Sequence, residues 1–196
     1  MYPRLTDTGK PISDEQMVGS GEHLVNKHRI LSLDGVFTGS MTASNYLLAL
    51  DSRDKSPIKI LITSPGGDLD SAFLLYDTMR LISSPVYTIG RYCASAAALI
   101  LAAGSKRYLM PHAKVMLHLP SGQLMGDTGD IDIQHEQITM YKNKVIELLL
   151  ECGVKKTAPE ILKDIDRNFW LEPAEAIEYG LADEILGEKT LGEWLA

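Results

Sequence analysis

The chain has 196 residues, of which 45% are hydrophobic and 23% are charged, and its formal net charge at pH 7 is −7. This balance predicts a soluble globular protein with one core and disfavours a disordered chain. A negative charge without a run of Lys or Arg also disfavours broad binding to nucleic acids or anionic membranes, because both need basic patches.

The cysteines and the apolar runs indicate the cellular compartment. Cys93 and Cys152 lie in or beside apolar segments without metal-ligand spacing, which is typical of a reduced, cytosolic protein. The first residues lack the apolar stretch of a secretory signal, and the longest apolar run, 94–103, is too short to cross a bilayer. We therefore expect a cytoplasmic protein without a membrane segment, a metal or a cofactor.

The hydrophobic pattern alternates between short strands and helices. Residues 1–24 are polar and aperiodic, so we expect a mobile N-terminal segment before a single domain at 25–196. The other predicted elements are strand 29–33, helix 40–50, strand 58–63, helix 68–82, strand 86–89, helix 95–103, strands 106–110 and 113–118 separated by Pro111, helix 130–151, helix 157–166, extended segment 167–171 and helix 173–180. This alternation predicts right-handed crossovers and a mainly parallel sheet.

The helix predicted at 130–151 is the longest in the chain. Its apolar residues spread over more than one face, which favours packing against a second subunit as well as against its own domain. We expect this helix and the preceding loop, 122–129, to make a contact between subunits. A charge at Ile138 should then weaken assembly.

Three short motifs carry candidate catalytic groups. A turn with paired glycines, 64–67, follows one strand, Ser95 begins a helix of small residues, and His118 closes an apolar strand. Together they offer oxyanion donors, a nucleophile and a base. Each motif alone also has an ordinary structural explanation, namely a tight turn, a helix N-cap and a structural histidine.

The segments 64–67, 94–96, 116–120 and 175–183 resemble those of the Clp protease proteolytic subunit in order and approximate spacing, over roughly residues 28–187. The resemblance implies a crotonase-like α/β fold of repeated ββα units with a long handle helix. It implies a serine peptidase whose two stacked heptameric rings, a tetradecamer, enclose a proteolytic chamber. It also implies an AAA+ unfoldase, a Clp ATPase, as partner and unfolded polypeptides as substrates.

The resemblance assigns the site residues one by one. Ser95 matches the nucleophile, His118 matches the general base, and the backbone amides of Gly67 and Ala96 match the oxyanion donors. Ala96 stands where Met is common in the family, which matters little because the donor is a backbone N–H. In the family, the pocket that docks the unfoldase is rich in aromatic residues around the strand before the glycine turn. The corresponding strand here, 58–63, contains no Tyr, so either the unfoldase or its pocket differs from the usual one.

The family's catalytic Asp falls on Asn168. An Asn can accept a hydrogen bond from the imidazole, but it cannot stabilise an imidazolium by charge. Asp164 and Asp166 lie near it in sequence as possible substitutes. Three outcomes stay open: an active enzyme with an Asn orienter, an enzyme that needs a partner subunit or an assembly switch, and a largely inactive one. The presence of Ser95 and His118 favours a weak or conditional peptidase.

Two other functions compete with this prediction. A non-catalytic ring subunit beside an active paralogue is favoured by Asn168 and disfavoured by Ser95 and His118. An acyl-CoA enzyme of the same superfold also uses paired N–H donors, but it would need glutamates near them, and the segments 64–70 and 93–98 contain none. Substrate preference, ring composition and the identity of the unfoldase stay open.

Overall fold

The computed structural model describes residues 24–38 and 41–187. The predicted N-terminal segment therefore lies outside the described residues, apart from residue 24. The elements are α1 (24–28), β1 (Ile30–Asp34), α2 (Met41–Arg53), β2 (Ile58–Ser64), α3 (Leu69–Leu81), β3 (Val86–Ala94), α4 (Ala96–Ala102), β4 (Lys106–Leu117), α5 (Thr128–Glu151), α6 (Ala158–Asp164), β5 (Phe169–Leu171), α7 (Pro173–Tyr179) and β6 (Glu184–Ile185).

The described strands form one six-stranded sheet in the order β1-β2-β3-β4-β5, with β6 also paired to β4. The first four strands are mutually parallel, and β5 runs antiparallel to β4. The fold is therefore a mixed α/β fold with a mainly parallel sheet, as the alternating pattern predicts. Parallel strands bring their carboxyl ends to one edge, which is where ligands bind in such sheets.

The core is built from strands rich in β-branched residues and from a helix of small and aliphatic residues. Along β2 every second residue is buried, and Ile58, Ile60 and Ile62 are fully enclosed. All seven residues of α4 are buried, and this helix packs against β3, α3 and α5. Each enclosed Leu or Ile side chain contributes roughly 1.5–3 kcal/mol of transfer free energy, so this centre is the stable frame of the site.

Two strand predictions are corrected by the structure. The strands expected at 106–110 and 113–118 are one strand, β4, because Pro111 lies among residues 110–113, which have no register partner on β3. At that point the missing N–H removes no hydrogen bond between the two strands. The strand expected at 86–89 extends to Ala94, since β3 resumes pairing at Tyr92 with Lys114.

The helix ends follow the capping signals. Thr157 and Glu160 form the predicted capping box at α6, with the Thr157 backbone N–H donating to Glu160 Oε2 at 2.7 Å. Pro173 begins α7, and Gly180 ends it in the left-handed region at φ +94°. Helix α5 begins two residues earlier than predicted, because Asp127 caps it by accepting a hydrogen bond from the Asp130 N–H at 3.0 Å.

Candidate active site

The three predicted motifs meet at the carboxyl edge of the parallel strands. Gly66 and Gly67 follow β2, Ser95 follows β3, and His118 follows β4. Because these strands are adjacent and parallel, residues that are far apart in sequence come together in space.

Ser95 occupies a sharp turn between β3 and α4. Its backbone adopts φ +57° and ψ −127°, a conformation that non-glycine residues adopt only when their surroundings impose it. The Ser95 N–H donates to Met116 O at 2.8 Å, and Ser95 O accepts from the Ala98 N–H at 2.9 Å. The Ser95 hydroxyl makes no capping bond to α4. This strained strand-to-helix turn is the geometry that exposes a nucleophilic serine.

Gly66 lies directly against that turn. Its φ is +91°, and a Cβ added to it would come within 2.6 Å of Ala94 O and 2.8 Å of Ser95 Cβ. Ser64 fixes the turn from the other side, since its hydroxyl donates to Gly35 O and accepts from the Gly66 N–H at 3.0 Å. The absence of a side chain at Gly66 therefore allows the two turns to touch.

The two predicted oxyanion donors have free backbone amides. Phe37 bridges the glycine turn, with its N–H donating to Gly66 O at 2.8 Å and its carbonyl accepting from the Asp68 N–H at 3.0 Å. In a parallel bridge of this kind the intervening Gly67 N–H faces away from Phe37. Within 24–38 and 41–187, neither this amide nor that of Ala96 donates a hydrogen bond.

Ser95, His118, Gly67 and Ala96 line one cavity of about 90 Å³. The rest of its wall is formed by one serine, one proline and six aliphatic side chains from five segments: Ser121, Pro120, Leu69, Leu99, Leu117, Val145, Leu149 and Ile165. Its small volume and aliphatic wall suit an aliphatic side chain better than a large aromatic one. No carboxylate lines it, which disfavours the acyl-CoA alternative.

Asn168 lies beside His118 but outside this cavity. The antiparallel pairing of β4 and β5 ends at Leu117 and Phe169, so His118 and Asn168 are the next residues on the two strands. The Asn168 side chain is exposed. Among the described residues, no side-chain hydrogen bond joins Ser95, His118 and Asn168. Catalytic hydrogen bonds are often long before substrate binds, so this geometry excludes none of the three roles.

The two nearby aspartates are occupied elsewhere. Asp164 accepts a hydrogen bond from the Tyr179 hydroxyl at 3.1 Å. Burial, together with this carboxylate, raises the pKa of Tyr179, so the hydroxyl stays protonated and remains a donor. Asp166 is exposed and pairs with Arg167 at 3.1 Å. Both aspartates therefore have partners of their own, whereas Asn168 follows Phe169 in the register as the position opposite His118.

Neither a cysteine nor a metal site competes with Ser95 in the described part of the chain. Cys93 is fully buried, which raises the pKa of its thiol to about 12 and keeps it protonated and unreactive. Burial also raises the pKa of Cys152. Residues 24–38 and 41–187 contain no cluster of three His, Cys, Asp or Glu side chains able to hold a metal ion. No described helix is long and apolar enough to cross a bilayer.

The aliphatic wall of the cavity is the part that sequence reasoning missed. Val145 and Leu149 come from α5, and Ile165 follows α6. Their spacing is that of ordinary core residues. The contact of α5 with α4 brings Val145 and Leu149 to Ser95, and the hydrogen bond from the Leu119 N–H to Ile165 O places Ile165 beside them. Both contacts exist only in the folded chain, so no local signal could have identified these residues.

Comparison with known proteins gives a family match over most of the chain. The family model described as Clp protease matches residues 14–189. The chain is 37% identical over 167 residues to the ATP-dependent Clp protease proteolytic subunit 2 of Chlamydia abortus, a match that covers 82% of this chain and 80% of that protein.

Two further relatives are longer than this chain. The ATP-dependent Clp protease proteolytic subunit 4, chloroplastic, of Arabidopsis thaliana is 40% identical over 144 residues, which cover 71% of this chain and 49% of that protein. The proteolytic subunit 1 of Rhodopirellula baltica is 39% identical over 145 residues, covering 71% of this chain and 63% of that protein. The chain thus spans about half of the first relative and less than two thirds of the second. The family match and these identities agree: the chain belongs to the Clp protease family.

Proposed function

We propose that the protein is a proteolytic subunit that cleaves unfolded polypeptides as a serine endopeptidase. The observation that carries this proposal is the Ser95 turn. A strained serine, a strand-end His118 and two backbone amides border one small cavity. In the described part of the chain, neither the Ser95 hydroxyl nor either amide has a hydrogen-bond partner. An ordinary N-cap serine would have neither the left-handed backbone nor the uncommitted hydroxyl.

The proposed reaction uses these groups in two steps. Ser95 Oγ attacks the peptide carbonyl carbon while His118 takes the hydroxyl proton, and the amides of Gly67 and Ala96 stabilise the oxyanion. The C–N bond then breaks, and His118 returns its proton to the leaving amine. Water attacks the resulting acyl-serine with the same assistance, which releases the acid and restores Ser95.

Asn168 is proposed to orient the His118 imidazole. Its amide oxygen can accept the ring N–H, but it offers no negative charge to the imidazolium that forms during each step. In serine proteases, replacement of the orienting Asp by Asn lowers kcat by about 10⁴-fold. We therefore expect weak or conditional activity compared with a subunit that carries Asp at this position.

The assembly expected from the family is part of the proposal. It comprises repeated ββα units with α5 as the handle helix, heptameric rings stacked as a tetradecamer, and docking to a Clp ATPase. The exposure of α5 supports this assembly, since its buried side chains are confined to Ile146, Leu148 and Leu149, near its C-terminal end. Ile131, Ile133 and Met140 are exposed on the same helix. Apolar surface of this kind favours contact with another chain.

Labelling with a fluorophosphonate probe tests the proposed nucleophile. The probe is applied to the wild type, to Ser95→Ala and to Asn168→Asp, with sedimentation of each sample to establish its assembly state. We expect labelling that disappears in Ser95→Ala and becomes faster in Asn168→Asp. Absence of labelling in all three assembled proteins would refute the role of Ser95.

A second function, a non-catalytic ring subunit, is favoured by one observation. Asn168 is exposed and has no hydrogen-bond partner among the described residues. This function predicts no labelling of the wild type and recovery of labelling in Asn168→Asp. The same three samples therefore distinguish the two functions.

A further inference from the structure

The loop that follows His118 borders a second cavity. This cavity has a volume of about 330 Å³ and shares four lining residues with the cavity at Ser95: Gly67, Leu69, Pro120 and Ser121. Its opposite wall is formed by α5, including Gln134 and Gln137. The two cavities are therefore neighbouring parts of one cleft, with residues 120–124 as one wall.

Residues 120–124 are held only at their ends. On one side, the Leu119 N–H donates to Ile165 O at 3.0 Å. On the other side, the Met125 N–H donates to Gln134 Oε1 at 3.1 Å, and Gln134 Nε2 donates to Met125 O at 2.6 Å. No backbone group of residues 120–124 has a hydrogen-bond partner in the described part of the chain, so these two attachments define the course of the wall.

The Gln134 side chain acts on Met125 as a neighbouring strand would. A single amide group donates to the carbonyl and accepts from the N–H of the same residue, which fixes both the position and the orientation of that peptide segment. Met125 itself is 75% exposed, so its side chain adds little packing. The two hydrogen bonds are therefore the main attachment of the loop just before Asp127, where α5 is capped.

We infer that Gln134 is a positioning residue that holds residues 120–124 as the wall of a subsite for extended peptides, next to the Ser95 cavity. The inference rests on the proposed peptidase function and names a residue that supports substrate binding. Gln134 touches no reacting group, and the Ser95 turn is fixed by other contacts. Loss of Gln134 should therefore weaken the binding of a long peptide and leave the reactivity of Ser95 unchanged.

Gln137 provides a matched control. It lies one turn further along α5 and lines the same cavity, and it is exposed whereas Gln134 is half-buried. In the described part of the chain it makes no hydrogen bond to the loop. Replacement of either glutamine by alanine removes the same atoms from the same helix. The contact with Met125 is lost only in Gln134→Ala.

The experiment measures the affinity of a fluorescein-labelled, unstructured decapeptide by anisotropy in a Ser95→Ala background, where no cleavage occurs. The parent is compared with proteins that also carry Gln134→Ala or Gln137→Ala. We expect Gln134→Ala to weaken binding about tenfold, as the loss of two net hydrogen bonds implies, and Gln137→Ala, which removes one lining side chain but keeps the loop attached, to weaken binding clearly less. Hydrogen exchange at the Met125 amide should accelerate in Gln134→Ala alone, while both variants keep the melting temperature of the parent.

A second readout separates this inference from the proposed function. With Ser95 present, Gln134→Ala should react with a small fluorophosphonate at the wild-type rate. Equal peptide affinity in the three proteins, absence of saturable peptide binding, or a labelling rate that falls along with affinity would overturn the positioning role. Absence of Ser95 labelling in the wild type would refute the proposed peptidase. The peptide affinities in the Ser95→Ala background could still be compared in that case.

Discussion

Replacement of Gly66 by alanine should disable Ser95 while the protein stays folded. The new Cβ would lie 2.6 Å from Ala94 O, 2.8 Å from Ser95 Cβ and 2.9 Å from Ala96 N. Unbonded heavy atoms prefer separations of about 3.5–4.0 Å, so the Ser95 turn must move by about 1 Å. A misplacement of that size costs about 10²-fold in rate when catalysis depends on geometry. We expect Ser95 labelling to slow by about that factor.

The matched control for this prediction is Gly153→Ala. Gly153 has a nearly identical backbone angle, φ +88°, but an added Cβ meets no atom within 4 Å. Both variants bear the cost of a left-handed alanine, roughly 1–2 kcal/mol, which urea unfolding measures. Only Gly66→Ala also displaces the nucleophile. Equal labelling rates in the two folded variants would refute the claim that Gly66 sets the position of Ser95.

Three further predictions concern stability, assembly and specificity. The Arg107 guanidinium holds the pKa of Asp183 below its usual range. The contribution of this pair to stability is therefore present above about pH 4 and is lost at lower pH. The difference in the free energy of unfolding between the wild type and Asp183→Asn, measured with urea, should be larger at pH 7 than at pH 3. Ile138→Glu should weaken assembly if α5 joins the subunits, and unchanged sedimentation would contradict that role. The cavity of about 90 Å³ at Ser95 should give peptides with Leu before the cleaved bond a higher kcat/KM than peptides with Trp there. Val145→Ala enlarges this cavity and should therefore reduce the difference in kcat/KM between the two peptides.

The parts of the fold that depend on local signals could be predicted from the sequence. The capping box of Thr157 and Glu160 and the left-handed Gly180 act within one helical turn, and both predicted helix ends are found. Strand β4 was mispredicted because the effect of Pro111 depends on its place in the register, which only the folded sheet defines.

The residues of the site also fall into those with a sequence signal and those without one. Ser95, His118 and the glycine turn follow strand ends, so a parallel sheet alone predicts that they lie near one another. The attachment of Met125 to Gln134 depends on the path of an irregular loop, and the position of Asn168 depends on the pairing of a three-residue strand. Neither contact has a sequence pattern of its own, and the role of Asn168 remains a prediction.

Hydrolysis of a short fluorogenic peptide with Leu before the cleaved bond tests the central claim most directly. The quantity is kcat/KM for the assembled wild type, for Asn168→Asp and for each with Ser95→Ala. We predict slow hydrolysis by the wild type, a rise in Asn168→Asp of between about 10²- and 10⁴-fold, and loss of both activities with Ser95→Ala. Hydrolysis that survives Ser95→Ala, or that does not rise in Asn168→Asp, would contradict a serine peptidase weakened by its Asn.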